Sequence, residues 1–115
     1  EGGERVKLIL IITQSSDADL LISNLIEKGF GATKLASTGG FLREGNSTIL
    51  VGVEDDLVDD VLSIVGSTCK SREKLMSPTP PGMMESMGGF IPYPIKVQVG
   101  GATIFVLNVE RFEKV

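Results

Sequence analysis

Val6–Thr13, VKLILIIT, decides the fold. The run is rich in leucine and β-branched residues, too short for a long helix, and followed by the polar cluster QSSD, so it reads as a strand. Its alternating sets are Val6, Leu8, Leu10, Ile12 and Lys7, Ile9, Ile11, Thr13, so both faces carry apolar residues in the middle. A strand of that kind is covered on both sides.

Reading outward, Ser16 or Asp17 offers a helix N-cap. Ala18, Leu21, Ile22, Leu25 and Ile26 then recur at helical spacing until Gly29 provides a stop. Residues 31–38 and 47–53 read as two further strands joined across Gly39–Asn46. A second helix is expected from about Asp56, capped by Asp55 or Asp56. Leu57, Val58, Val61, Leu62, Ile64 and Val65 form its apolar stripe, and acidic residues crowd its first turn, as the helix dipole prefers. Lys70–Phe90 breaks the pattern. It is rich in proline, glycine and methionine and reads as a long loop, either a plain linker or a segment that binds a partner or responds to a ligand. Met83, Met84 and Met87 suit the second role, because thioethers adapt to varied surfaces. Ile95–Val99 and Ala102–Val109 are expected to form a hairpin around Gly100-Gly101, a two-residue turn that accepts positive φ at both positions. Val109–Val115 reads as a terminal turn or an exchanged arm.

The order strand, helix, strand, strand, helix, closing strands matches the split βαβ pattern. The expected fold is therefore α+β, a ferredoxin-like βαββαβ sandwich with an added C-terminal hairpin strand. It forms one domain over residues 6–115 with a long loop at 70–90, and residues 1–5 read as an extension or a cloning remnant. Helices would cover one face of the sheet. Ile9, Ile11 and Ile104–Leu107 leave apolar side chains available to both sides, so a lone copy would expose a large hydrophobic patch. Packing sheet faces together in a symmetric oligomer removes it.

Composition excludes several function classes. The chain has 115 residues, 42% of them hydrophobic, enough for one compact core. A net charge of −4 argues against broad DNA or RNA binding, which needs a field of lysine and arginine, while a small anionic ligand held by a few local donors remains compatible. One cysteine and no histidine argue against a disulfide framework, a Cys-rich or His-rich metal site and the commonest general base. No apolar run is long enough to span a bilayer, so a soluble, cytoplasmic protein without membrane insertion is expected. Walker A, GxSxG, HExxH and CxxC motifs are absent. Glu54, Asp55, Asp56, Asp59 and Asp60 read as a helix start rather than a Mg²⁺ site, and Cys69 as a structural thiol. Neither a catalytic site nor a cofactor is expected.

The stretch from Gly29 to Val53, GFGATKLASTGGFLREGNSTILVGV, has the composition of a pocket. Six glycines allow close backbone approach, and Thr33, Ser37, Thr38, Asn46, Ser47 and Thr48 supply donors and acceptors.

Within it, FGATKLASTGGFLREGNST carries a more specific signal. Together with the VGVEDD turn, SREKLMSP and the PYPIKVQVGGATIFVL segment, it resembles the PstA-like family of PII-like signalling proteins across nearly the whole domain. The resemblance implies a bacterial, non-enzymatic homotrimer that binds the second messenger cyclic-di-AMP at subunit interfaces. It also implies that the signal passes to a protein partner through loop rearrangement. Carried over by position, it places Thr33, Phe41, Leu42, Asn46, Gly52 and Phe105 in or beside the pocket. Their chemistry suits an adenine nucleotide. Asn46 can donate and accept together, Phe41, Leu42 and Phe105 offer apolar surface to a base, and Gly52 lets a backbone edge approach. Family members commonly carry arginine two positions before the threonine, where this chain has Gly31. Lys34 alternates to the opposite face. The substitutes are Arg43 or an anion nest from the N–H groups of Gly39 and Gly40. Weaker cyclic-di-AMP binding or a shifted preference is expected. The alternative is a PII-like trimeric interaction module that has lost the ligand or prefers another adenine nucleotide.

Overall fold

A computed structural model of the chain describes residues 5–35, 45–76 and 95–115. β1 (Val6–Gln14) leads into α1 (Ser15–Glu27), then β2 (Ala32–Leu35) and β3 (Asn46–Glu54). A 3₁₀ turn over Asp55–Leu57 precedes α2 (Val58–Thr68), followed by β4 (Arg72–Met76), β5 (Ile95–Val99) and β6 (Ala102–Asn108). The main sheet has the order β2-β3-β1-β6 and every pairing in it is antiparallel. This is the α+β, ferredoxin-like arrangement, with β1 in the interior and β6 as the fourth strand.

Alternation along β1 determines which face the helices cover. Ile9 and Ile11 are fully buried, as are their β3 partners Val51 and Ile49. Ala18, Leu21 and Leu25 of α1 and Val61 and Val65 of α2 close over them, with Cys69 at the margin. Each fully buried aliphatic side chain here contributes about 1.5–3 kcal/mol. Gly29, at φ 91, ends α1 as expected. Its N–H donates to the Ile26 carbonyl and that of Phe30 to the Leu25 carbonyl, the paired bonds of a Schellman stop.

Four expectations are corrected. Neither Ser16 nor Asp17 caps α1, which begins at Ser15 directly after the extended Gln14, whose side chain makes no capping bond. Asp17 is buried and pairs with Arg72 instead, at 3.1 and 3.4 Å to its two carboxylate oxygens. Asp55 and Asp56 lie inside the 3₁₀ turn rather than capping α2. The stretch read as loop from Lys70 contains β4.

The expected β5–β6 hairpin does not form, since β5 pairs with β4 in a separate two-stranded arm and β6 pairs with β1. Gly100 and Gly101 do adopt positive φ, 81 and 85. They turn the chain out of the arm and into the main sheet, and long-range bonds hold that turn. The Gly100 N–H donates to Gln14 Oε1 at 2.9 Å, Thr13 Oγ1 donates to the Gly101 carbonyl at 2.9 Å, and the Gly101 N–H donates to the Cys69 carbonyl.

The arm is therefore rooted where β1 meets α1. Arg72 completes the root by donating also to the Lys70 carbonyl at 3.0 Å. A Cβ on Gly100 would stand 2.5 Å from the Lys70 carbonyl oxygen and 2.6 Å from Arg72 Nη1. Gly100→Ala is therefore expected to cost about 2 kcal/mol or more, from positive φ and the clash together. Gly52→Ala, whose Cβ meets nothing within 4 Å, should change stability by less than about 1 kcal/mol. Urea unfolding of the two variants checks this, and equal losses would contradict it.

Candidate ligand-binding site

The residues that alternate away from the helices form the second face of the sheet. From β1 these are Leu8, Leu10, Ile12 and Gln14; from β3, Asn46, Thr48, Leu50 and Gly52; from β6, Thr103, Phe105 and Leu107; and from β2, Thr33 and Leu35. Leu8, Leu10, Ile12 and Leu50 are half-buried, while Phe105 and Leu107 remain 50% and 42% exposed. The face is apolar at its centre and polar at the Gln14 end.

Every described residue that the family resemblance assigns to the pocket lies on this face, whereas Ser47, counted among the donors of the glycine-rich stretch, alternates to the helix side, where its hydroxyl lies 2.8 Å from that of Ser15. Thr33, Leu50, Leu10 and Phe105 are successive partners in one row across the sheet, which puts Thr33 on one edge strand and Phe105 on the other, about 14 Å apart. Gly52 is two residues from Leu50, a diagonal neighbour of Thr33 at about 7–8 Å. Asn46 stands at the far end of β3, opposite Gln14. One copy thus brings Thr33 and Gly52 together and holds Asn46 and Phe105 apart from them. Gly39, Gly40, Phe41, Leu42 and Arg43 lie outside the described residues. Lys34 alternates to the helix side as expected, and its ammonium sits 3.5 Å from Asp19 on α1. A Cβ on Gly31 would meet nothing within 4 Å.

A polar recess of about 250 Å³ opens at the Gln14 end, between Ile12–Gln14, Asn46 and Gly100–Thr103. Of its lining, the sequence singles out Asn46 alone. Gln14, Thr103 and the diglycine turn become neighbours only through long-range pairing. The one signal available was that Gln14 interrupts the even-numbered apolar set of β1. A second recess, of about 300 Å³ between Lys28, Phe30, Asp60, Ser63 and Ile64, lies on the helix side and contains none of the expected residues.

Beneath the polar recess, Cys69 is buried to 2% exposure. Burial pushes its thiol up from the ordinary value of 9.0, and Asp17 adds to the rise, while a hydrogen bond with Thr13 and the Arg72 charge oppose it. It therefore stays protonated near neutral pH, unsuited to nucleophilic attack. Among the described residues, no group of three His, Cys, Asp or Glu could hold a metal ion, and no helix is long and apolar enough to cross a membrane.

An open sheet face that combines apolar surface with small hydroxyl, carboxamide and glycine positions defines a binding module of ferredoxin-like architecture. The sequence model of the cyclic-di-AMP receptor family matches residues 6–115, and the chain belongs to that family. It is a family of binding and signalling proteins rather than enzymes. A solved structure of a functionally unknown protein from Pediococcus pentosaceus is similar at 41% identity and a TM-score of 0.75, over 96% of this chain and 98% of that one. A DUF3240 family protein from Shewanella baltica, 15% identical with a TM-score of 0.53 over 96% of each chain, shares the fold.

The Cys69 environment makes a pH prediction. A thiol held protonated in the native state supports stability below its unfolded pKa, and that support is lost as pH rises toward the raised native value. Thermal unfolding of the wild type should therefore show a loss beginning near pH 9 that Cys69→Ala lacks. Parallel pH profiles for the two proteins would contradict it.

Proposed function

We propose that this protein is a bacterial, cytoplasmic receptor that binds cyclic-di-AMP at the interfaces of a homotrimer and signals to a protein partner through rearrangement of the Lys70–Phe90 region. Thr33, Asn46, Gly52 and Phe105 would take part in binding with Phe41 and Leu42, and Arg43 or the Gly39-Gly40 amides would face a phosphate. The observation that carries this reading is the shared face. Four residues from three strands, assigned by family pattern, alternate to the same open side of one sheet. Their placement near opposite edges supports an interface site, because a neighbouring copy can bring its Phe105 edge to this copy's Thr33 edge. The half-exposed apolar centre supports an oligomer, since burying it between copies removes it from water.

Gly31 favours the second reading, a trimeric interaction module that has lost cyclic-di-AMP or prefers another adenine nucleotide. An arginine would supply a charge-assisted bond of roughly twice the strength of a neutral one, and Lys34, committed to the Asp19 side, does not replace it.

Titration calorimetry with cyclic-di-AMP, cyclic-di-GMP, ATP and ADP separates the readings. Saturable heat with cyclic-di-AMP is expected, and none at tens of micromolar protein would overturn the ligand assignment. Light scattering should return three times the 12.2 kDa of one chain. Asn46→Ala should weaken cyclic-di-AMP binding while leaving the melting temperature in place. Gly31→Arg, for which the fold has room, should tighten it by roughly tenfold or more. An unchanged affinity in Gly31→Arg would show that this position does not face the phosphate.

A further inference from the structure

We propose that Gln14 is a specificity-determining residue of the ligand site, a donor that reads the base together with Asn46. This inference rests on the cyclic-di-AMP reading above.

Gln14 occupies the N-cap position of α1, where a short oxygen-bearing side chain is preferred, and its side chain makes no capping bond. It lies instead on the open face, half-buried, and lines the polar recess. Its partner across the β1–β3 ladder is Asn46, so two carboxamides stand opposite one another at one opening. The bond from Gly100 settles which end of Gln14 is available. A backbone N–H can only donate, so the atom 2.9 Å from Gly100 N must be the oxygen, and the amide's other end is Nε2 with its two hydrogens. Gln14 is thereby committed as a donor, whereas Asn46 can present either end.

That arrangement discriminates between purines. Adenine shows a donor beside an acceptor, its amino group next to a ring nitrogen, on both of its readable edges. Gln14 Nε2 can donate to the ring nitrogen while Asn46 Oδ1 accepts from the amino group. Guanine shows two acceptors, O6 and N7, on one edge, and on the other a ring N–H where adenine has an acceptor. On the edge that carries N1, guanine sets its ring N–H against the Gln14 donor and its O6 against Asn46 Oδ1, and a polar group left unpaired in a recess is costly. Its O6–N7 edge could be met with Asn46 turned to donate, so the discrimination belongs to the N1 edge and to Gln14, whose amide the Gly100 bond fixes. At about 250 Å³ the recess is smaller than the roughly 300–1,000 Å³ of sites that enclose a whole ligand, so it suits one base of a dinucleotide. The same hydrogen bond links that base to Gly100, where the β4–β5 arm joins the main sheet.

Gln14→Glu and Gln14→Met test the assignment, with cyclic-di-AMP and cyclic-di-GMP titrated calorimetrically against each full-length variant and the wild type. Glu keeps an acceptor for Gly100 but offers the base an acceptor in place of a donor, and Met removes the polar group at similar size. We expect cyclic-di-AMP affinity to fall roughly ten- to a hundredfold in both. Cyclic-di-GMP binding should hold or improve in Gln14→Glu, which narrows the preference, and the melting temperature of Gln14→Glu should stay near wild type. If Gln14→Glu does not fold, Gln14→Met decides by the same loss of preference. Three results would overturn the inference: affinities within twofold of wild type, an equal loss for both ligands as a merely structural role predicts, or a wild type that ignores cyclic-di-AMP. The last alone also removes the reading on which the inference rests.

Discussion

The register of β1 between β3 and β6 is the constraint on which the other features of this protein depend. Side chains alternate with a period of two, so slipping that strand by one residue would exchange Ile9 and Ile11 for Leu8, Leu10 and Ile12 under the helices. Both sets are apolar, and hydrophobicity by itself does not choose between them. The ends of the strand do. At one end Lys7 bonds Asn108 and lies 3.7 Å from Asp55, and at the other Thr13 and Gln14 bond opposite sides of the diglycine turn. In this register the open face receives Thr33, Asn46, Gly52 and Phe105 together.

Tying the Gln14 end of β1 to the diglycine turn also ties the open face of the sheet to the arm. Asp17 and Arg72 form the charged half of that root. Asp17 is nearly buried and Arg72 about half exposed, so the pair is worth more as a directional clamp than as net stabilisation. Gln14, Gly100 and Gly101 form the neutral half. A displacement of the Gln14 carboxamide is one hydrogen bond away from the point where β5 leaves the arm and β6 enters the sheet.

Local signals were legible where one element determines them. The alternation of β1, the apolar stripe of α1 and its Gly29 stop, and the extent of β3 to within a residue could all be read from the residues themselves. What could not be read depends on partners distant in sequence. Gly100-Gly101 announces a reversal of positive φ, yet only the competing strands, Arg72–Met76 and Val6–Gln14, decide what pairs on either side of it. Arg72–Leu75 are exposed, so β4 lacks the apolar alternation that marks a half-buried strand. Asp17 looked like a cap because Asp at a helix start usually is one, and its Arg72 partner is 55 residues away. The pocket residues came from family resemblance. Periodicity then explains why the described ones share a face, but it did not select them.

The most direct test of the central claim, that the ligand is read on the open face beside the root of the arm, is a ¹⁵N amide chemical-shift titration of the protein with cyclic-di-AMP. The largest changes are expected at Gln14, Thr33, Asn46, Gly52, Gly100 and Phe105, with Ser63 and Ile64 on the helix side unmoved. Shifts confined to the recess around Phe30, Ser63 and Ile64, with the open face silent, would contradict it.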